Sequence, residues 1–158
     1  MAPDVTLAPL GAEHAAAARV LAHAELAGTP YGEGPLETLE RVLGTGGDDE
    51  ARGFAAMRGG ELVGLAIYGL VAGTQGAAKL HLVLVTASAR LAGVGHALCD
   101  AASEALRGHA RLLVAELPDD PAAAAGRELL RRAGFCEEGR IPDFYRDGVA
   151  LLLLRRDL

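Results

Sequence analysis

The hydrophobic pattern changes period at mid-chain. From Leu80 to Val85 the residues read Leu-His-Leu-Val-Leu-Val, an apolar run broken only by His81. Neither face of such a strand would be polar, so the run predicts a strand covered on both sides of a sheet. Beyond Arg90 the period becomes helical: Val94, Ala97, Leu98, Ala101, Ala102 and Ala105 share one face, and His96, Asp100, Ser103 and Glu104 the other. Gly93 and Gly95 stand at the join. Glycine there lets the backbone approach a ligand closely, and the unpaired N–H groups of a first helical turn favour an anion.

The rest of the chain reads around this unit. Val5 to Leu10 predicts a short strand, and Ala12 to Leu26 a helix with an apolar stripe of Ala16, Val20, Ala24 and Ala27, ended by Gly28. A short helix follows from Leu36 to Leu43, opened by Pro35 and closed by Gly44. Phe54 to Arg58 and Glu61 to Val71 alternate as strands around a tight Gly59-Gly60 hairpin. Past Gly108, Arg111 to Leu117 is again strand-like, and the order strand, helix, strand implies a parallel pair with a right-handed crossover. Asp120 and Pro121 read as the cap and first residue of a helix that carries Leu129 and Leu130 and stops at Gly134. Two last strands, Phe135 to Ile141 and Val149 to Arg155, flank a turn that contains Tyr145.

Composition narrows the function classes. At 158 residues and 51% hydrophobic, the chain predicts one globular domain spanning residues 1–158. No apolar run approaches the ~20 residues that cross a bilayer, and the first residues lack a signal-type core, so no membrane partner and a cytoplasmic location are expected. A formal charge of -6 argues against nucleic acid, whose affinity comes mostly from neutralised phosphates. Cys99 and Cys136 lack the companions of a metal site or disulfide framework and read as buried small apolar residues; no metal is expected. Lys79 is the only lysine.

Gly93-Val94-Gly95 is a weak signal by itself. A dinucleotide fold wants a third glycine where Leu98 stands, and a P-loop wants Gly-Lys-Ser or Gly-Lys-Thr. What remains, Arg90-Leu91-Ala92-Gly93-Val94-Gly95 between a buried strand and a helix, resembles the pyrophosphate signature of the GCN5-related N-acetyltransferase (GNAT) family. Val85 ahead of the motif and the Gly134-Phe135 pair after the last helix extend the likeness over about Phe54 to Leu158. The resemblance implies an α+β fold: a mixed, mostly antiparallel sheet of about seven strands flanked by about four helices, with a parallel strand pair around the acetyl-CoA site. It implies that Val83, Leu84 and Val85 offer backbone groups to the pantetheine arm, and that Leu91, Ala92, Gly93, Val94, Gly95 and His96 hold the pyrophosphate. Arg90 would add a charge-assisted contact. Residues 28–52 would form the acceptor-side segment, which varies in this family.

Direct acetyl transfer needs a neutral amine, an oxyanion donor and a proton for the leaving thiolate. The resemblance implies the Val85 N–H as the oxyanion donor. Glu116, at the end of the strand parallel to the cofactor strand, is the candidate base. The tyrosine that many relatives carry four residues before the Gly-Phe glycine is Leu130 here, and their helix asparagine is replaced by alanines. Tyr145 is therefore the candidate acid. His81 reads as a satisfied core or edge histidine, whereas His96 either touches the pyrophosphate or is simply exposed. Tyr31, Glu33 and Glu37 fall in the acceptor segment, where acids either attract a cationic acceptor or are merely solvated. The expected activity is acetyl transfer from acetyl-CoA to a small-molecule amine or a protein amino group, with a homodimer left open. A non-catalytic acyl-CoA-binding module is the alternative.

Overall fold

The computed structural model describes residues 4–27 and 29–158. Gly28, read above as the stop of the first helix, lies outside them. The sheet is built from β1 (Val5–Pro9), β2 (Arg52–Arg58), β3 (Glu61–Leu70), β4 (Ala77–Val85), β5 (Leu112–Pro118), β6 (Cys136–Arg146) and β7 (Val149–Asp157). Between these strands run α1 (Ala15–Leu26), α2 (Glu33–Thr45), α3 (Val94–Leu106) and α4 (Ala124–Arg132). Strand order is β1-β2-β3-β4-β5-β7-β6, and every neighbouring pair is antiparallel except β4 and β5. Two cores cover the two faces. Val94, Leu98 and Leu106 of α3 and Leu130 of α4 pack on one side, and Ala18, Leu21, Leu39 and Val42 of α1 and α2 on the other.

The unbroken apolar run of β4 has a structural cause. Ile67 pairs with Leu82 and Tyr68 with Leu80, so His81 is an extra residue, a β-bulge. One extra residue inverts the side-chain phase: Ala78 and Leu80 join the core under α3 and α4, while Leu82 and Leu84 join the core under α1 and α2. Beyond the bulge the opposite phase is apolar too, because Val83 and Val85 pack against the core under α3 and α4.

Other expectations are corrected. In α1 the buried residues are Ala18, Leu21 and Ala22, and Val20 of the expected stripe is 72% exposed. Alanine occupies nearly every register of that helix, so the position of Leu21 decides the buried face. Helix α2 runs further in both directions than read, with Gly44 inside it and Gly46 (φ 78°) closing it. Ser103 is buried and donates its hydroxyl to the Cys99 carbonyl at 2.9 Å. Strand β6 continues through Pro142 to Arg146, which places Tyr145 in a strand. A proline is tolerated because β6 is an edge strand, and pairing with β7 is interrupted between Ile141 and Arg146.

The two cysteines part company, since Cys99 is buried and Cys136 exposed. Burial pushes the Cys99 thiol up to about 12, so it stays protonated and shielded. A thiol reagent is expected to titrate one cysteine in the native protein and two in denaturant. Two fast thiols in the native protein would contradict the packing of α3.

Candidate active site

The parallel pair is short. Ala77, Ala78 and Lys79 pair with Leu112, Leu113 and Val114, and beyond them β4 and β5 separate. Strand β3 still covers one edge of β4 and β7 one edge of β5, so the two edges facing each other are open. Between them lies a cleft of about 610 Å³. Its walls include Val83 and Leu84 from β4, Glu116 from β5, Leu130 from α4, and Phe144 and Tyr145 from β6; Thr29 to Tyr31 and Glu33 face them from the segment between α1 and α2.

At the far end of β4, Val85 leads through a short 3₁₀ turn, Ala87–Ala89, to Arg90 and the glycine loop. Leu91 (φ 66°) and Gly93 (φ 80°) both take left-handed backbone conformations, and Leu91 is 98% exposed. A non-glycine residue held there beside a helix start is a mark of local strain. Ala92 N–H reaches the Ala89 carbonyl, and Ala97 N–H closes the first turn of α3 on the Gly93 carbonyl. Among the described residues, the N–H groups of Leu91, Gly93, Val94, Gly95 and His96 have no backbone partner. Together with the positive end of a 13-residue helix, they present a cluster of N–H donors directly continuous with the open strand, an arrangement that favours an anion.

The two loop glycines differ. Gly93 supplies the left-handed turn, whereas a Cβ on Gly95 would lie 2.7 Å from Leu129 Cδ1 and 2.9 Å from its Cδ2. Gly95 therefore lets α3 and α4 approach, while its N–H stays in the first turn. Arg90 forms an ion pair with Glu25 of α1, which fastens the loop to the rim of the cleft. His96 pairs with Asp100 at 3.3 Å on the outer face of α3.

Inside the cleft, Glu116 meets the Lys79 ammonium at 3.1 Å. The Tyr145 ring stands edge-on to Tyr31 (centroids 5.2 Å, 75°) and to Phe144 (5.1 Å, 84°). Burial, reinforced by the Glu116 carboxylate, holds the Tyr145 phenol above its usual range, so it keeps its proton at neutral pH. Tyr31 donates its hydroxyl to Asp120 at 2.7 Å. Asp120 also caps Ala122 N–H, and that bond above all holds its carboxyl below the usual range. His81 Nε2 donates to the Glu50 carbonyl at 3.0 Å, and burial lowers its pKa. It is a satisfied, neutral histidine whose ring also borders the cleft.

Val83, Leu84, Glu116 and Tyr145 thus line one cavity, with Arg90 to His96 following from the end of the same strand. Glu33 borders the cavity, and Glu37 is exposed outside its lining. Leu130, only 4% exposed, belongs to the core. Lys79, Glu25 and the tie from Asp120 to Tyr31 were not legible as site features. Lys79 alone carried a signal, as a singular lysine on a buried strand.

A sheet opened at its parallel pair, with a helix start at the end of the opened strand, is the arrangement that the resemblance to the GNAT family implies for an acetyl-CoA site. The family model described as "Acetyltransferase (GNAT) family" matches residues 20–135, and the chain belongs to that family. It is an acetyl-CoA-dependent N-acetyltransferase by class. Among solved structures, a GNAT-family protein from Desulfovibrio desulfuricans superposes with a TM-score of 0.83 at 24% identity, covering 97% of this chain and 98% of its own. The ribosomal-protein-alanine N-acetyltransferase from Brucella melitensis follows at 0.74 and 23% identity, over 97% and 99%. A Bacillus anthracis structure in complex with acetyl coenzyme A gives 0.65 at 14% identity, over 75% and 67%. At these identities the likeness shows the fold. No curated protein matches the sequence.

Proposed function

We propose that the protein transfers the acetyl group of acetyl-CoA directly to a primary amine bound in the cleft between β4, β5 and the segment from Thr29 to Thr38. The observation that carries this reading is the separation of β4 from β5 after Lys79. It leaves a strand edge free to pair with the amides of a pantetheine arm, and the chain runs from the end of that edge straight into the amide-rich start of α3, where a pyrophosphate would sit. Val83, Leu84 and Val85 supply the edge. Leu91 to His96 supply the amides, which bind a dianion without a basic side chain. Arg90, released in part from Glu25, can add its charge.

The chemistry follows from the groups beside the cleft. The amine nitrogen attacks the thioester carbon, and the Val85 N–H stabilises the oxyanion that develops. Glu116, ion-paired with Lys79, takes the amine proton directly or through a water. The C–S bond then breaks, and the thiolate leaves with the Tyr145 proton. A phenol held above its usual pKa stays protonated until that step.

Thiol release measured over a panel of amines, with acetyl-CoA binding followed by calorimetry, tests the reading. Tight binding without acceptor-dependent release would overturn it in favour of a binding module. Tyr145→Phe is expected to lower kcat by about 10²-fold, with acetyl-CoA affinity nearly unchanged, because the proton is given only in the transition state. If the variant instead raises the acceptor KM at constant kcat, the Tyr145 hydroxyl binds the acceptor and does not donate a proton.

A further inference from the structure

The charges of the cleft bear on the acceptor. Five side chains of its lining carry ionisable acid, amine or imidazole groups: Glu25, Glu33, Lys79, His81 and Glu116. Glu25 is paired with Arg90, Glu116 with Lys79, and His81 is neutral, bonded to a carbonyl. Asp120, just outside the lining, is held by Arg146 at 3.2 Å and by Tyr31. Of the charged side chains in the lining, Glu33 alone has no ion-pair partner among the described residues, and it is exposed. A charge already paired attracts a second cation much less than a free one, so the cleft offers little to an acceptor with several ammonium groups.

It offers more to an apolar body. The chain has only three tyrosines and three phenylalanines, and Tyr31, Phe144 and Tyr145 meet edge to face along one wall. Phe144 is 55% exposed there, so its ring extends into the cleft opening the apolar surface that Tyr31 and Tyr145 begin. Leu26, Pro30 and Pro35 extend that wall. Resting on the transferase reading above, we infer that the acceptor is a primary amine joined by a short link to an aromatic or large apolar group, with that group seated on the Tyr31, Phe144 and Tyr145 rings. Such a group occurs in free arylalkylamines and at a peptide terminus that begins with an aromatic residue.

The test is a binding titration, kept apart from turnover. The protein, saturated with coenzyme A, is titrated calorimetrically with 2-phenylethylamine, spermidine and a Phe-headed tetrapeptide. Phenylethylamine is expected to bind at least about tenfold more tightly than spermidine, as one aromatic ring anchor allows. Phe144→Ala, a change at an exposed ring, is expected to abolish that preference without altering coenzyme A affinity. A comparison of the free amine with the peptide then identifies the source of the ring. Spermidine binding as tightly as phenylethylamine, or a preference that survives Phe144→Ala, would overturn the inference. Ring-dependent binding without thiol release would refute the transferase reading and, with it, the role of acceptor, while the aromatic seat on Tyr31, Phe144 and Tyr145 would stand as a ligand site.

Discussion

Replacing Glu116 with glutamine is expected to lower kcat by about 10³-fold near neutral pH, within the range that a positioned base supplies, while acetyl-CoA affinity stays unchanged. Glutamine preserves the shape and the strand, so the loss isolates the negative charge and the proton-accepting oxygen. An alkylamine is almost wholly protonated at pH 7, its pKa being near ~10, and needs an acceptor for that proton before or as it attacks. The deficit should therefore shrink as pH rises and free amine appears unaided. Steady-state thiol release at saturating acceptor across pH 6 to 9 measures this. Equal rates for both proteins across that range would reduce Glu116 to the partner of Lys79. Lys79→Met is the companion variant: Glu116 remains, so the expected loss is smaller, and it reports how far the ammonium orients the carboxylate at 3.1 Å.

The parts of the molecule that were legible in the sequence are those whose local pattern has only one solution. The passage from β4 through the glycine loop to α3 was readable because the apolar period changes across it, and the parallel pairing of β4 with β5 followed from strand, helix, strand order. The cap at Asp120 and the left-handed stop at Gly134 were readable because each is local chemistry. Degenerate patterns failed. Alanine at almost every register hid which face of α1 is buried, and Pro142 with Gly148 read as a turn because the edge position that tolerates a proline is set by the whole sheet. The cleft itself was not legible. It depends on the separation of β4 from β5 and on pairs such as Lys79 with Glu116 and Arg90 with Glu25, which join residues far apart in the chain. Gly95 was legible as a required glycine but for an incomplete reason, since the packing of Leu129 against α3 lies outside any local motif.

Gly93→Asp is expected to weaken acetyl-CoA binding by about 10³-fold with the fold intact. Gly93 is the N-cap of α3 and holds a φ of 80°. An aspartate in that left-handed conformation costs about 1–2 kcal/mol, too little to unfold the domain. Its carboxylate, however, enters the ring of amides proposed to hold the pyrophosphate. Two unit charges ~4 Å apart interact by about 4 kcal/mol at an effective dielectric near 20, which is about three decades in a dissociation constant. Gly93→Asn separates charge from shape, because asparagine has nearly the same size and the same tolerance of the left-handed region. It should keep most of the affinity. Calorimetry with acetyl-CoA compares the two, and thermal unfolding gives a second readout, since a ligand bound only to the folded state raises the melting temperature of the variant that binds it. Equal affinity in the aspartate and asparagine variants would show that the pyrophosphate does not sit at the start of α3, and the site would have to be sought elsewhere along the open edge of β4.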